Sequence, residues 1–368
     1  MSTTASANPV EIALRPTSTP VPETQRAEMV ANPAFGRVFT DHMVSMRWTA
    51  EQGWHDAELV PYGPLSLDPA TMVLHYAQSI FEGLKAYRQP DGSVAAFRPY
   101  RNAARFNRSA TRMALPALPE DAFVAALEAL VSQDAAWVPS AFEKSLYLRP
   151  FMFASEIGLG VRPASEVQFL LLASPAGAYF PQGVKPVSIW LSEDYTRAAP
   201  GGTGAAKAAG NYGASLVAQQ EAIAHGCDQV CFLDAVERRW VEELGGMNLF
   251  FVQDDGSVVT PEPSGTILEG ITRESVCVLA QEHGHKVEER PVSLDEWREG
   301  VSSGRVTEVF ACGTAAVITP LGRLAWHGGE MAIGSGETGP VTSELRAALL
   351  DIQYGRAPDP HGWMHKVN

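Results

Sequence analysis

The sequence predicts an α+β protein with two domains. Its 368 residues exceed the roughly 100–200 residues of one ordinary domain. Segments typical of β-hairpins alternate with segments typical of amphipathic helices, and this mixture favours α+β over a doubly wound parallel sheet. A stretch rich in proline and glycine, residues 175–186, interrupts the chain near its middle and predicts an interdomain loop.

These observations divide the chain into four regions. Residues 1–34 are rich in Ser, Thr and Pro and predict a loosely ordered N-terminal arm. Because this arm carries several glutamates, it is unlike an organelle transit peptide, which is poor in acids. Residues 35–174 predict a smaller α/β domain, and residues 187–368 predict a larger second domain, with 175–186 between them.

Local patterns predict the elements of the first domain. Asp91-Gly92 is a hairpin turn signal between two strand-like segments. Apolar residues with helical spacing predict two helices, and runs of β-branched, aromatic and aliphatic residues predict strands. The strands are expected at 38–48, 84–89, 93–99, 145–153 and 167–174, and the helices at 99–112 and 120–136.

The second domain is expected to begin with a strand at 188–194, followed by a Gly/Ala-rich loop. The loop leads into a helix closed by Gly226, a residue suited to a left-handed cap. Ser293 and Glu296 fit a capping box at the start of a later helix. The remaining elements are expected as strands at 250–253 and 257–260, a helix after Gly270 and a helix at 343–355.

Composition limits the function classes. The net charge of −14 disfavours nucleic acid and anionic membranes as partners, since phosphate groups reward clustered Lys and Arg. No apolar run reaches the ~20 residues that span a bilayer. Four scattered cysteines indicate a reducing cytoplasm, and the absence of His-Glu-x-x-His and Cys-x-x-Cys predicts no metal site. Small-molecule chemistry is the expectation.

Residues 201–215 carry one charged side chain, Lys207, among glycines and alanines. Small residues let a flat cofactor approach the backbone, and burial favours the neutral amine that forms imines. A flexible loop with a solvated lysine is the alternative. A phosphate-binding P-loop is excluded, because Ala208 stands where that motif needs Ser or Thr.

An acid-free run between residues 92 and 119 carries arginines spaced four, three and four residues apart. On a helix these side chains share one face, where like charges repel by roughly 0.2–0.5 kcal/mol per pair, so a bound anion would relieve the repulsion. A solvated surface face or salt bridges to the other domain are the alternatives. The residues are Arg101, Arg105, Arg108 and Arg112.

Two further segments carry groups that suit a bound anion and a protonated ring nitrogen. Gly270, Ile271 and Thr272 begin a predicted helix, whose free N–H groups and dipole suit a phosphate, although a helix end without a ligand is the alternative. Residues 241–252 place two acids before a glycine pair and an apolar strand. A carboxylate there can pair with a protonated ring nitrogen, and a turn with exposed acids is the alternative.

Eight motifs in series resemble the branched-chain amino-acid aminotransferases of the bacterial biosynthetic type, which are fold-type IV pyridoxal-phosphate enzymes. The resemblance implies a two-domain, D-amino-acid-aminotransferase-like architecture, pyridoxal 5'-phosphate as cofactor, and residues 187–368 as the cofactor-binding domain. The motifs are FGRVFTDHM (35–43), LHYAQSIFEGLKAY (74–87), LYLRP (146–150), GAYFP (177–181), GGTGAAKAAGNYG (201–213), EELGGMN (242–248), GTILEGITR (265–273) and CGTAAVITP (312–320).

The resemblance assigns roles residue by residue. It makes Lys207 the lysine that holds the cofactor as a Schiff base and carries the proton. It makes Tyr212 the contact of the cofactor's 3′-oxygen and Glu243 the partner of the pyridine nitrogen. The residues implied at the cofactor phosphate are Arg105, the backbone of Ile271 and Thr272, and Thr314, with Arg197 close by.

The resemblance also implies a substrate pocket. Backbone N–H groups of Thr314 and Ala315 would bind the α-carboxylate, and Arg149 would accept the second carboxylate of glutamate. The side chains implied to line the pocket for a branched apolar group are Phe35, Tyr76 and Tyr147.

The implied activity is a reversible ping-pong transfer of the amino group of Leu, Ile or Val to 2-oxoglutarate, giving branched 2-oxo acids and glutamate. A cytoplasmic homodimer is implied, in which residues near Tyr76 complete the partner's pocket. Rivals of the same fold are a D-amino-acid aminotransferase and an aminodeoxychorismate lyase, which the FEGLKAY and LYLRP motifs disfavour. A noncatalytic phosphate-binding or regulatory module is the rival of another class.

Overall fold

The computed structural model describes residues 11–177 and 184–367. Its contacts divide the chain into two units, one of Met1–Gly177 with His361–Asn368, the other of Ala178–Pro360. The units are nearly equal in length, because the first includes the N-terminal arm and the last residues of the chain, which the sequence analysis had set outside the smaller domain of residues 35–174. The divide falls three residues beyond the predicted end of the first domain at residue 174.

One mainly antiparallel sheet organises the first unit. Its strands are β1 (Ala13–Leu14), β2 (His42–Thr49), β3 (Gly53–Pro61), β4 (Ser79–Phe81), β5 (Leu84–Arg88), β6 (Val94–Phe97), β7 (Ser145–Ala154) and β8 (Glu166–Ala176). They follow the order β1-β3-β2-β8-β7-β5-β6, with β4 beside β7. β1 pairs parallel to β3, and the other pairs are antiparallel.

Helices lie on both faces of this sheet, since Val73 packs with Leu170, whose side chain points away from the face of Phe169. The helices are α1 (Glu23–Ala31), α2 (Val73–Tyr76), α3 (Pro99–Arg112) and α4 (Glu120–Gln133), followed by a 3₁₀ turn at Ala135–Trp137. Phe106 of α3 and Phe123 of α4 contact Phe169 of β8, with ring centroids 5.8 and 6.4 Å from it. α3 begins at a proline, which suits the first helical position, and its bounds confirm the predicted helix.

The described part of the N-terminal arm is ordered. β1 pairs with β3, and the N–H of Thr17 donates to Nε2 of His42 at 2.9 Å. The prediction of a loosely ordered arm is therefore wrong for residues 11–34, because apolar side chains scattered in a polar composition anchor it; residues 1–10 lie outside the described residues. The side chains packed against the core are Ile12, Val21, Met29 and Val30.

A second sheet organises the second unit. Its strands are β9 (Val187–Ser192), β10 (Gln229–Leu233), β11 (Val241–Leu244), β12 (Met247–Gln253), β13 (Val258–Thr260), β14 (Val287–Glu289), β15 (Val306–Gly313), β16 (Val317–Trp326) and β17 (Gly329–Ala332). The order is β11-β10-β9-β16-β15-β12-β13-β14, with β17 beside β16, and β11 also pairs with β12. Because of this last pairing, six strands form a closed ring, so each of them has a hydrogen-bonded neighbour on both edges. The six are β11, β10, β9, β16, β15 and β12.

The helices of the second unit follow the predicted order. They are α5 (Ala209–Ala214), α6 (Leu216–Ala224), α7 (Ile271–Glu282), α8 (Leu294–Ser303) and α9 (Pro340–Gln353). Gly226 has φ +67°, the left-handed conformation expected of a residue that closes a helix. The side chain of Ser293 accepts from the N–H of Glu296 at 3.0 Å, which confirms the predicted cap of α8.

The end of the chain corrects the predicted domain assignment. β18 (Met364–Lys366) pairs antiparallel with β6, so residues 361–368 belong to the first unit and not to the second domain. Pairing satisfies the backbone groups of the β6 edge, a long-range effect that local patterns do not reveal. The predicted interdomain loop overlaps the end of β8, and its residues 178–183 lie outside the described residues. No helix in the described part of the chain is long and apolar enough to span a membrane.

Candidate active site

Lys207 lies on the loop that precedes α5 in the second unit. Its neighbours Ala206 and Ala208 are buried, the lysine itself is half-buried, and its Nζ lies 2.7 Å from the hydroxyl oxygen of Tyr212. The amide of Asn211 donates to the carbonyls of Thr203 and Ala206 at 2.8 and 2.9 Å and so fixes the loop. These contacts favour a positioned lysine over the alternative of a solvated lysine on a flexible loop.

Two adjacent glutamates lie on β11, and both are buried. Because successive side chains of a strand point to opposite faces, the carboxyl groups of Glu242 and Glu243 lie in different surroundings. The N–H of Leu268 donates to Oε1 of Glu243, and Nε of Arg197 lies 3.2 Å from its Oε2. The alternative of a turn with exposed acids is wrong.

Burial raises the pKa of Glu243 to about 7, although the Arg197 guanidinium, the N–H of Leu268 and the Lys207 ammonium act in the opposite direction. Lys207 is therefore close enough for its charge to be felt at Glu243. A carboxyl group with this pKa is poised to respond to a positive charge placed beside it.

Arg197 is a buried cation whose partners lie in the second unit. Besides Glu243, its Nη1 donates to the carbonyl oxygen of Thr266 at 2.8 Å and to that of Gly204 at 3.3 Å. These contacts tie the Lys207 loop to the segment around Thr266. The sequence placed Arg197 near the phosphate, whereas its observed charge partner is the carboxylate assigned to the ring nitrogen.

The turn before α7 approaches a buried side chain closely. Gly270 caps the helix, and a Cβ atom there would overlap Oδ1 of Asn248, whose Nδ2 donates to the carbonyl of Leu268 at 3.0 Å. Ile271 and Thr272 then open the helix and are buried. Sequence reasoning missed Asn248, although Gly270 was the signal that some group lies close to this backbone.

Thr314 and Ala315 lie in the hairpin turn that joins β15 to β16, where Gly313 pairs with Val317. Val317 has φ +63°, an outlier for a β-branched residue that costs of order 1–3 kcal/mol. The surrounding structure must hold this conformation. The turn therefore presents the backbone of Thr314 and Ala315 in a fixed arrangement, both half-exposed.

Three predicted pocket residues come together in the first unit. Tyr147 and Arg149 share a face of β7, and Nη2 of Arg149 donates to the hydroxyl of Tyr147 at 3.1 Å. Phe35 packs edge-on against Tyr147 with ring centroids 5.0 Å apart. The guanidinium carbon of Arg149 lies 4.8 Å from the ring centroid of Phe81. Tyr76 makes other contacts, since its hydroxyl donates to the carbonyl of Leu159.

Arg105 is the one buried member of the predicted arginine face, while Arg101, Arg108 and Arg112 are exposed. It pairs with Glu82, a fully buried carboxylate, and Oε2 of Glu82 also accepts from the N–H of Gly83 at 3.1 Å. Sequence reasoning missed Glu82, whose signal was an acid inside the apolar FEGLKAY motif. The salt bridge of Arg105 therefore lies within its own unit, whereas the alternative had expected salt bridges to the other domain.

The sequence predicted no metal site. In the described ranges, one group of possible ligand side chains comes together, Asp194, Glu221 and His327, with ligand atoms within 4.8 Å of one another. Nε2 of His327 lies 3.7 Å from Asp194 and 3.5 Å from Glu221. Exposed groups of this kind are common without a metal.

Comparison with known proteins agrees with this fold. Residues 79–324 match the family described as amino-transferase class IV. A probable branched-chain-amino-acid aminotransferase of Streptomyces coelicolor is 62% identical over 357 residues, covering 97% of this chain and 98% of that protein. The solved branched-chain amino acid aminotransferase of Escherichia coli has a TM-score of 0.74 and 30% identity, covering 88% of this chain and 100% of that one.

A third relative was solved with the cofactor. The branched-chain amino acid aminotransferase of Thermobaculum terrenum in its PLP-form, the holo-form, has a TM-score of 0.72 and 25% identity, covering 88% of this chain and 98% of that one. The chain therefore belongs to the class IV aminotransferases and, within them, to the family of the branched-chain-amino-acid aminotransferases. It is a pyridoxal-phosphate-dependent enzyme.

The residues of the second unit fit this cofactor. The amine of Lys207 lies beside the phenol of Tyr212, and this pair suits a cofactor whose aldehyde stands next to an oxygen on the ring. A buried carboxyl of raised pKa, Glu243, suits a ring nitrogen that carries a proton. The glycine-capped start of α7 suits a phosphate.

Proposed function

We propose that this enzyme transfers the amino group of leucine, isoleucine or valine to 2-oxoglutarate, reversibly, through pyridoxal phosphate held as a Schiff base on Lys207. The observation that carries the proposal is a lysine amine hydrogen-bonded to Tyr212 in the unit that also holds a buried Glu243 of raised pKa. The names of the Streptomyces and Escherichia coli relatives support the substrate class.

Lys207 has the surroundings that covalent attachment and proton transfer need. Buried alanines flank it, and the hydroxyl of Tyr212, 2.7 Å from Nζ, orients that nitrogen. A neutral Nζ can attack a carbonyl carbon. The same nitrogen, once released, is positioned by its loop to take the proton from the substrate Cα as a general base.

Glu243 is proposed to hold the proton on the ring nitrogen of the cofactor. When bound, pyridoxal phosphate supplies a sink for the electrons released as the substrate Cα–H bond breaks, and the protonated nitrogen deepens that sink. Glu243 is buried and anchored by the N–H of Leu268 and by Arg197, so its orientation is fixed. An adjacent positive charge would favour its ionised form.

We propose that backbone N–H groups and the buried guanidinium of Arg105 bind the anionic groups of the cofactor and the substrate. The N–H groups of Ile271 and Thr272 open α7, and Thr314 lies on the strained turn before β16. Arg105 is proposed as the phosphate-binding side chain, oriented by Glu82. Thr314 and Ala315 would also offer backbone N–H groups to the substrate α-carboxylate.

Arg149 is proposed to select the dicarboxylate substrate. No carboxylate in the described part of the chain pairs with it, and its buried Nε finds no acceptor there. The distal carboxylate of glutamate or 2-oxoglutarate would supply that acceptor. Leucine, isoleucine and valine have no distal carboxylate. Their branched side chains need apolar surface, which Phe35 and Tyr147 offer.

The assembly is proposed as a cytoplasmic homodimer without nucleic-acid or membrane partners. Tyr76 keeps its proposed role as a pocket residue, contributed to the partner subunit. Its 36% exposure leaves surface for such a contact.

The decisive experiment combines trapping with a substrate panel. Borohydride reduction of the purified yellow enzyme should bleach it and fix the cofactor on Lys207, as peptide mass spectrometry would show. Lys207→Ala should abolish transamination and keep the fold, whereas Lys286→Ala, an exposed lysine of the same unit, should change neither. Consumption of D-alanine without consumption of leucine would favour the D-amino-acid aminotransferase, pyruvate release from aminodeoxychorismate the lyase, and absence of any turnover the noncatalytic module.

A further inference from the structure

A cavity of about 200 Å³ opens in the second unit, and Glu242 of β11 lines it whereas Glu243 does not. Its lining combines apolar and acidic groups without a basic side chain. The apolar members include Val236, Trp240, Ile267 and three prolines, and the ionisable members are Asp234, Glu242 and Glu262.

Glu242 is the buried acid of this cavity, with 4% of its surface exposed. Its Oε1 accepts from the hydroxyl of Thr266, whereas its Oε2 is buried and receives no hydrogen bond from any described residue. Burial raises the pKa of Glu242, which reflects the cost of keeping a charge there. A donor placed in the cavity would offset that cost.

Asp234 adds a fixed negative charge to the same lining. Its two carboxylate oxygens accept four backbone N–H groups, from Val236, Glu237, Arg239 and Trp240, at 2.7 to 3.0 Å. Although burial opposes them, these hydrogen bonds keep the pKa of Asp234 below its ordinary value. The carboxylate is thus ionised and immobile at the edge of the cavity.

We propose that this cavity binds a small organic cation, a protonated amine on a short aliphatic body, whose N–H donates to Oε2 of Glu242. The acids select a positive charge, and the valine, tryptophan, isoleucine and prolines accommodate the alkyl part. The volume is sufficient, since a cavity of ~150 Å³ holds a molecule as large as benzene. An amino-acid zwitterion fits less well, because its carboxylate would meet the acids of the lining.

One residue connects the cavity with the region around Glu243. The hydroxyl of Thr266 donates to Glu242, and its carbonyl accepts from Arg197, which pairs with Glu243. The site should therefore be tested in the holoenzyme. The inference does not rest on the proposed substrates, because none of the residues that bind the cation is assigned to the transamination.

The probe is N,N-dimethylbutylammonium, a tertiary amine that keeps one N–H donor and forms no imine with an aldehyde. Calorimetric titration of the holoenzyme should show saturable binding with one site per chain. Glu242→Gln should weaken the affinity at least about tenfold, as expected for a lost charge-assisted hydrogen bond. Glu237→Gln, an exposed acid of the neighbouring turn outside the lining, should leave the affinity unchanged.

Val236→Phe gives a second variant that is independent of the buried glutamate. Val236 is 72% exposed at the cavity, so a larger side chain is tolerated by the fold but narrows the opening and should also weaken binding. Absence of binding, equal affinity in wild type and Glu242→Gln, or equal binding of the neutral 1-hexanol would each overturn the proposal. If Glu242→Gln does not fold, unchanged binding in Val236→Phe overturns it.

Discussion

Arg105 and Glu82 form a buried bidentate ion pair in the first unit, with Nε 2.7 Å from Oε1 and Nη2 2.8 Å from Oε2. Their side chains are 5% and 0% exposed. A pair of this geometry fixes the plane of the guanidinium. Arg105 therefore has a structural role beside its proposed role at the cofactor phosphate, and the two are separable by experiment.

Arg105→Met should lower the free energy of unfolding of the cofactor-free protein by ~3–5 kcal/mol, because it leaves the Glu82 carboxylate buried without its partner. Replacing both residues, Arg105→Met with Glu82→Leu, should restore much of that stability. Urea unfolding measures this directly. The exposed Arg108→Met is the matched control and should change stability little.

Cofactor affinity distinguishes the two roles of Arg105. If its guanidinium binds the phosphate, the double variant should regain stability but still bind pyridoxal phosphate roughly tenfold to more than a hundredfold more weakly, since a charge-assisted contact contributes ~1.5–3 kcal/mol. Wild-type affinity in the stable double variant would assign Arg105 to the fold alone.

Glu243 should make the stability of the cofactor-free protein depend on pH. Burial raises its folded-state pKa from 4.5 to about 7, so the folded protein binds this proton more tightly than the unfolded chain. The stabilisation is fully present below the unfolded value and is lost as pH rises through about 7. We expect the free energy of unfolding to fall between about pH 5 and pH 8, and to fall less in Glu243→Gln.

The exposed Glu193→Gln is the control for this pH effect and should keep the wild-type slope. Bound cofactor should flatten the slope in the wild type, because a protonated ring nitrogen beside Glu243 favours the carboxylate. A slope that is the same in wild type and Glu243→Gln would assign the titration to another group.

Gly83 leaves the space that the hydroxyl of Tyr147 occupies. A Cβ atom at Gly83 would overlap that oxygen and lie 2.9 Å from Cζ of the ring. Gly83→Ala should therefore displace Tyr147, break its hydrogen bond with Arg149 and raise KM for both leucine and 2-oxoglutarate. The strain should cost ~1–3 kcal/mol of stability, as overpacking does.

Steady-state kinetics with each substrate tests the Gly83 prediction. Gly63→Ala is the matched control in the same unit, because nothing lies within 4 Å of its Cβ position. Unchanged KM values in Gly83→Ala would mean that Tyr147 does not contribute to the pocket.

Arg149→Met should impair the half-reaction with 2-oxoglutarate far more than that with leucine. Only the dicarboxylate has a distal charge to pair with Arg149, and its loss should weaken binding roughly tenfold to more than a hundredfold. Single-turnover measurements of each half-reaction check this. Arg47→Met, an exposed arginine on β2 of the same sheet, should affect neither.

Equal losses in both half-reactions of Arg149→Met would contradict a role in reading the second carboxylate. They would show instead that Arg149 supports the pocket through its contacts with Tyr147 and Phe81. Tyr147 would then be the better candidate for the glutamate side chain.

Local sequence was sufficient where local chemistry decides the structure. The start of α3 at residue 99 and the Ser293 cap of α8 were both predicted, because each depends on residues within one helical turn of the helix end. Lys207 stood out because it is the one charge among small residues. The resemblance assigned Tyr212 to the 3′-oxygen of the cofactor, and its contact with the amine of Lys207 came from the structure.

Contacts between distant parts of the sequence were decided by the tertiary structure. The Arg105–Glu82 pair joins residues 23 positions apart, and Asn248 reaches Leu268 across 20 positions. In both pairs, the residues next to each partner in the sequence do not indicate which distant residue it contacts. Only the packed strands and helices bring such groups within hydrogen-bonding distance and remove the water that would otherwise satisfy them.

The sequence by itself determined the α+β composition, the order of the main elements, the family and the lysine that we propose as the reactive residue, because each depends on residues close together in the chain. The tertiary structure decided that residues 11–34 are anchored, that β18 completes the first sheet, and that Glu242 and Glu243 have separate surroundings. These outcomes depend on which surfaces become buried together. Burial is a property of the folded chain as a whole.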